Sequence, residues 1–227
     1  MAFKLESVVP WGRNFSEYTQ MFLLTHGDMQ KRIAGFGDGP ASFNKQATDL
    51  GCSVTSFDPI YAFTKQQLEA RISEVRDIVM QQMAENSHNY VWDRIHSLKE
   101  LEQVRMAAMK VFLDDFEKGK SEGRYICHEL PRRLPFPDDS FDIGLSSHFL
   151  LMYTSLGLDL HIKAISEMLR VCAQVRIFPL CDLDSNDSEM IQSVIAHFAK
   201  SFDTQIKQTP YRFQKGADRL LIISRKQ

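Results

Sequence analysis

The amino-acid sequence predicts an α/β fold, a doubly wound sheet whose last strands run antiparallel. Three observations predict it. Short apolar runs alternate with helical patterns along most of the chain. The first run, residues 32–36, stops at three alternating glycines (Gly35, Gly37 and Gly39), and a helical pattern follows at once. The final two runs, 204–209 and 219–224, are joined by a loop containing Gly216 instead of a helix.

Composition sets the limits. The 227 residues suffice for one large domain, 1–227, with a full hydrophobic core. A formal charge of -2 argues against a dedicated nucleic-acid or anionic-membrane surface. No apolar span near membrane length occurs, and residues 1–6 lack the apolar core of a secretory leader. The four cysteines, Cys52, Cys127, Cys172 and Cys181, are scattered without a Cys-x-x-Cys pair, as expected of reduced packing residues in a cytoplasmic protein. No His/Cys/Asp cluster has metal-ligand spacing, so no metal is expected.

In chain order, 8–14 reads as an aromatic-bearing loop. Phe15, Tyr18, Met21, Phe22 and Met29 then recur at helical spacing, which makes 1–30 a helical cover over the sheet. This helix either caps the sheet or brings Arg13 or Tyr18 into a cover over a cofactor's amino-acid end, since guanidinium forks suit carboxylates. Past the glycines, Phe43, Ala47 and Leu50 mark a short helix stopped by Gly51, and 51–58 is a second strand ending at Asp58.

Residues 62–120 form an unusually long connection and read as a helical insert, or lid. Thr64 to Gln67 and Ser97 to Glu100 are capping boxes opening two helices, with Gly119 as the stop of the second. The break between them, 85–94, either faces a substrate or packs Trp92 onto the domain. A short strand is predicted at 124–130 and a buried one at 141–147, preceded by a rigid turn at Pro135 and Pro137. A helix over 159–171, a strand over 174–178 and a helix capped by 185–187 with Phe202 on its inner face follow.

A carboxylate about 20 residues beyond a glycine turn, at the tip of the next strand, is placed to accept from ribose hydroxyls. Asp58 has that position, so the sequence predicts a pocket for an adenosine-bearing cofactor. The dinucleotide fingerprint is incomplete: the third glycine position falls on Pro40 in one frame and Ser42 in the other. The pattern fits better a turn that holds S-adenosylmethionine, which has no pyrophosphate.

The glycine turn with Asp58, taken together with Leu134-Pro135-Phe136-Pro137-Asp138-Asp139-Ser140-Phe141-Asp142, resembles the class I S-adenosylmethionine-dependent methyltransferases of the small-molecule type. The resemblance covers roughly 30–60 and 124–225. It implies a Rossmann-like, doubly wound, seven-stranded sheet with an antiparallel last strand. It implies that Gly35, Phe36, Gly37 and Gly39 border the methionine part of the cofactor and that Asp58 binds the ribose. Pro59, with Ile60, and Glu129 with Leu130 would flank the adenine, and Ser146 and His148 would lie near the transferred methyl group. His148 is then the candidate general base, or else a residue that only shapes the pocket. The family carries an acid where Gly35 stands, and that departure removes a partner for the cofactor's ammonium. The expected activity is methyl transfer to a small or peptide-like acceptor through oxygen or nitrogen. The alternative is a weak or inactive S-adenosylmethionine-binding protein whose insert binds a partner, and a nicotinamide-dependent oxidoreductase is a third reading.

Overall fold

A computed structural model describes residues 11–226. The first part of the expected cover, with the leader and loop readings for residues 1–10, lies outside the described residues. Seven strands form one sheet in the order β3-β2-β1-β4-β5-β7-β6. These are β1 (Arg32–Phe36), β2 (Ser53–Phe57), β3 (Tyr125–Ile126), β4 (Phe141–Ser147), β5 (Cys172–Phe178), β6 (Phe202–Gln208) and β7 (Arg219–Arg225). The first five pair in parallel. β7 inserts antiparallel between β5 and β6. The expected doubly wound sheet with an antiparallel last strand is therefore present.

Among the described residues, six helices surround it: α1 (Phe15–Met21), α2 (Phe43–Asp49), α3 (Lys65–Glu85), α4 (Leu98–Ser121), α5 (Leu158–Val171) and α6 (Glu189–Ala199). One face packs Ile165, Met168, Val194 and Phe198 onto Val175 and Ile177; the other packs Tyr18, Phe22 and Phe43 onto Ile33 and Leu145. β4 is buried along almost its whole length, as the sequence reading of 141–147 as a buried strand expected, with Phe141, Ile143 and Leu145 supplying its apolar side chains. Among the described residues, no helix is long and apolar enough to cross a membrane.

The Pro-Phe-Pro turn is held by one arginine. Arg170 on α5 donates to the Leu134 and Phe136 carbonyls, to Asp138 and to both oxygens of Glu167. Glu167 in turn accepts from the Leu134 amide. That clamp fixes the entry to β4, and through it the position of Ser147 and His148 at the strand's carboxyl end.

Several boundaries differ from the sequence reading, each for a local reason. The cover helix ends at Met21 instead of reaching Met29, because the backbone turns left-handed at Leu23 (φ +51°). Gly119 is no stop: α4 runs on to Ser121, and a Cβ at 119 would overlap the Tyr125 ring. The bare backbone lets α4 lie against β3. Only the first half of the second capping box forms, since Glu100 accepts from His96 instead of the cap residue. Ser188, not 185–187, caps α6, and Phe202 already belongs to β6. The strand expected over 124–130 shortens to two residues at the sheet edge.

The insert is docked by a buried ion pair. Arg105 of α4 places one guanidinium nitrogen 2.7 and 2.6 Å from the two oxygens of Glu17. Glu17 is also the capping-box residue of α1 and accepts from the Asn14 amide and the Tyr211 hydroxyl. Burial pushes the Glu17 carboxyl up, and the charge and hydrogen bonds of Arg105 outweigh it, so it stays below its ordinary value. One carboxylate thus ties together the cover, the insert and the chain's last segment.

Candidate functional site

At the carboxyl edge of the sheet, where the order reverses between β1 and β4, lies a cavity of about 350 Å³. Its floor is the glycine turn. Gly37 and Gly39 have φ of +67° and +56°, a conformation that costs other residues free energy. A Cβ on Gly37 would also stand 2.9 Å from the Phe149 ring, so the turn, β4 and any ligand on it share a narrow space. The bend is pinned to the end of β2: the Gly37 amide donates to Phe57 O, and the Tyr61 hydroxyl donates to Gly39 O.

Asp58 faces this bend. Its Oδ1 caps the short turn Pro59–Ala62 by accepting from Ile60 N (2.9 Å), and Oδ2 accepts from Gly39 N (2.8 Å). Burial pushes its pKa up to about 6 against those two amides. Each oxygen keeps a second lone pair for a ligand hydroxyl.

Asp38, between the two glycines, is the residue that sequence reasoning missed. Its carboxylate folds back beneath β1, and a Cβ built on Gly35 would fall on it. Gly35 is therefore glycine because an acid from three residues downstream fills its side-chain space. Tyr18 donates to Asp38 Oδ1 (2.9 Å) and Ser56 to Oδ2 (2.6 Å). Burial raises Asp38 to about 6, the two hydroxyls oppose the rise, and Asp58 adds repulsion. Among the described residues, neither Asp38 nor Asp58 takes part in an ion pair within 4 Å. The available signal was the Gly-Asp-Gly spacing, where a turn aspartate has no helix or strand to face.

Of the expected residues, Gly37, Gly39, Asp58, Pro59, Glu129, Leu130 and His148 border the cavity. Gly35, Phe36 and Ser146 do not. Phe36 is fully buried and stacks on Phe57 at 5.3 Å. Ser146 points to the opposite face of β4 and is fully buried, with a hydroxyl that has no partner. By strand alternation Ser147 takes its place. Arg13, Tyr18, Trp11 and Phe149 complete the wall, and Tyr18 acts there by holding Asp38.

His148 follows β4 with φ +54°, and its amide donates to Phe178 O at 2.7 Å. Nδ1 lies 2.8 Å from Ser147 Oγ. Burial, then the charges of Arg13 and Arg105, push its pKa well below the ordinary 6.5, so the ring is neutral at pH 7. His148 also borders a second cavity of about 310 Å³ between the insert and the β6–β7 loop. Asn86, Asn89 and Tyr90 from the break in the insert line it, while Trp92 packs edge-on against Phe213, the packing onto the domain that was one of the two expectations for this break.

The strand order, the antiparallel β7 and a glycine turn facing a carboxylate at the tip of β2 define the class: the fold is that of the class I S-adenosylmethionine-dependent methyltransferases. No family model matches the sequence. The uncharacterized protein MJ0045 of Methanocaldococcus jannaschii is 30% identical over 223 residues, covering 97% of this chain and 98% of that protein, and the chain belongs to its family. Among solved structures, a TehB-like SAM-dependent methyltransferase from Corynebacterium glutamicum is 14% identical, with TM-score 0.48 over 93% of this chain and 88% of that one. PH0226 from Pyrococcus horikoshii is 11% identical, with TM-score 0.47 over 93% and 91%. Likenesses this distant carry no functional weight.

Proposed function

We propose that the cleft over the glycine turn binds S-adenosylmethionine and that the protein transfers its methyl group to a small-molecule acceptor. The observation that carries this reading is the pair of buried carboxylates, Asp38 and Asp58, at two corners of one cleft without a cation in ion-pair contact. A ligand bearing a ribose diol, an ammonium and a sulfonium satisfies both. Asp58 would hold the diol, Asp38 the ammonium, and Pro59, Ile60, Glu129 and Leu130 the adenine. The relocated acid answers the departure at Gly35.

Bound there, the sulfonium supplies an already activated methyl group, so no protein nucleophile is needed. The chain's residues align, exclude water and take up a proton. With its proton on Nδ1 and donated to Ser147 Oγ, the neutral His148 ring keeps a lone pair on Nε2. Nε2 would take up the proton that the acceptor gives up as it is methylated. An oxygen or nitrogen acceptor satisfies this scheme.

Titration calorimetry tests the binding step. S-adenosylhomocysteine is expected to bind at about micromolar Kd or tighter, and NAD not at all. Binding of NAD in preference would return the oxidoreductase reading. Transfer of a labelled methyl group into a small-molecule extract separates an enzyme from a binder, and a protein that binds but never transfers would be the latter.

A further inference from the structure

The second cavity has the opposite electrostatic need to the first. Arg105 and Glu17 cancel each other in their buried pair. Among the described residues, Arg13 has no carboxylate within ion-pair distance. Its guanidinium makes one hydrogen bond, to Trp11 O at 3.3 Å, and its Nε is buried without an acceptor. The Trp11 indole N–H is likewise buried and unpartnered. Burial and the neighbouring Arg105 both press against the charge on Arg13. His148 is neutral, and exposed Asp184 and Lys215 offset each other at the rim. Among the described residues, the wall of the second cavity thus keeps one unmatched positive charge and three orphaned donors, the Trp11 indole N–H, Arg13 Nε and Arg105 Nε, the first two where the two cavities meet.

We infer that the second cavity receives the methyl acceptor, and that this acceptor carries a carboxylate bound by the Arg13 guanidinium and the Trp11 indole N–H. The inference rests on the methyl-transfer reading above. One unmatched charge suits a monoanion, and a planar fork suits a carboxylate. Tyr90, Phe213, Met83 and Met152 make the rest of the wall apolar and aromatic, so the class is a small aromatic or apolar acid with a hydroxyl or amino group to methylate. The competing occupant is the cofactor's own carboxylate. Arg13 and Trp11 border both cavities, and the test below separates the two occupants.

The test uses the full chain saturated with S-adenosylhomocysteine. Benzoate and 4-hydroxybenzoate are titrated by calorimetry against benzamide and 4-hydroxybenzamide. At least one acid is expected to bind about tenfold tighter than its amide. Arg13→Gln, kept saturated with S-adenosylhomocysteine, should erase that preference. Equal binding of acid and amide, or no binding of either acid, overturns the inference. So does a loss of about tenfold or more in S-adenosylhomocysteine affinity in Arg13→Gln, which assigns the guanidinium to the cofactor and leaves methyl transfer standing. The acid–amide comparison in the unmodified protein decides the matter if the variant does not fold. Failure of S-adenosylhomocysteine to bind the unmodified protein defeats the reading beneath, and the acid–amide preference without it still reports on the anion site.

Discussion

Replacing Asp38 by Asn separates stability from binding, because the two should move in opposite directions. The substitution keeps size and hydrogen bonding: Asn Oδ1 still accepts from Tyr18, and the Ser56 hydroxyl can rotate to accept from Nδ2. What it removes is a buried charge. The carboxyl ordinarily titrates at 3.8 and here at about 6. At about 1.4 kcal/mol per pH unit, carrying the charge costs the ligand-free protein about 3 kcal/mol above pH 6, as an upper figure. The sign follows from the raised value: the folded state holds the proton more tightly than the unfolded state, so the cost is absent near pH 3.8 and complete above 6. The Asn variant should therefore melt several degrees higher than the parent at pH 7.5, and the gap should close as pH falls toward 4. Affinity should go the other way. Loss of a charged hydrogen bond to the cofactor's ammonium weakens S-adenosylhomocysteine by about 1.5–3 kcal/mol, roughly 10- to 150-fold. Differential scanning calorimetry and isothermal titration across pH 4–8 read both effects. A variant that gains stability yet binds S-adenosylhomocysteine as tightly as the parent refutes the assignment of Asp38 to the cofactor.

Two further outcomes follow from burial and close packing. His148 titrates well below 6.5 in the folded state, so its contribution to stability is complete above pH 6.5 and is lost as pH falls below it. Relative to His148→Gln, the parent should lose stability progressively as pH falls below 6.5, read as a difference between two denaturant-unfolding series; parallel pH profiles would contradict the neutral ring. Gly119→Ala sets a methyl against the Tyr125 ring where α4 meets β3, and should cost about 1–3 kcal/mol without altering S-adenosylhomocysteine affinity. An unchanged melting temperature would mean that the helix shifts away freely.

The parts of this molecule that were legible from sequence are those where a periodic pattern or a turn residue reports directly on geometry. β1, its glycines, β2 ending at Asp58, and the alternation of strands and helices all have that character. The terms that were not legible are three-dimensional substitutions of one position for another. Gly35 reads as a lost acid when scanned linearly, but the chain returns Asp38 to the same space, and no window of neighbours reports on a side chain folding back under its own strand. Ser146 and Ser147 could not be told apart because β4 is buried on both faces, which erases the period-2 signal. Gly119 had the composition of a helix stop and the function of a close-approach site. Arg13 precedes β1 and Arg105 lies within the insert, so the charge arrangement they create appears only once α4 is docked on Glu17.

That arrangement bears on how methyl transfer would be favoured here. The side of the joined cavities under the glycine turn holds two buried carboxylates and attracts a cation; the side under the insert holds an unmatched guanidinium and attracts an anion. His148, uncharged, stands between them and borders both. A donor whose positive charge is dispersed as the methyl leaves needs little stabilisation of new charge, and gains from alignment and from exclusion of water. Each partner's remaining charges would meet a fixed opposite charge at the far end of its own chamber, which leaves the meeting point between them neutral. Binding free energy would then be spent at the ends to hold the reacting atoms in line where Trp11, Arg13 and His148 border both chambers.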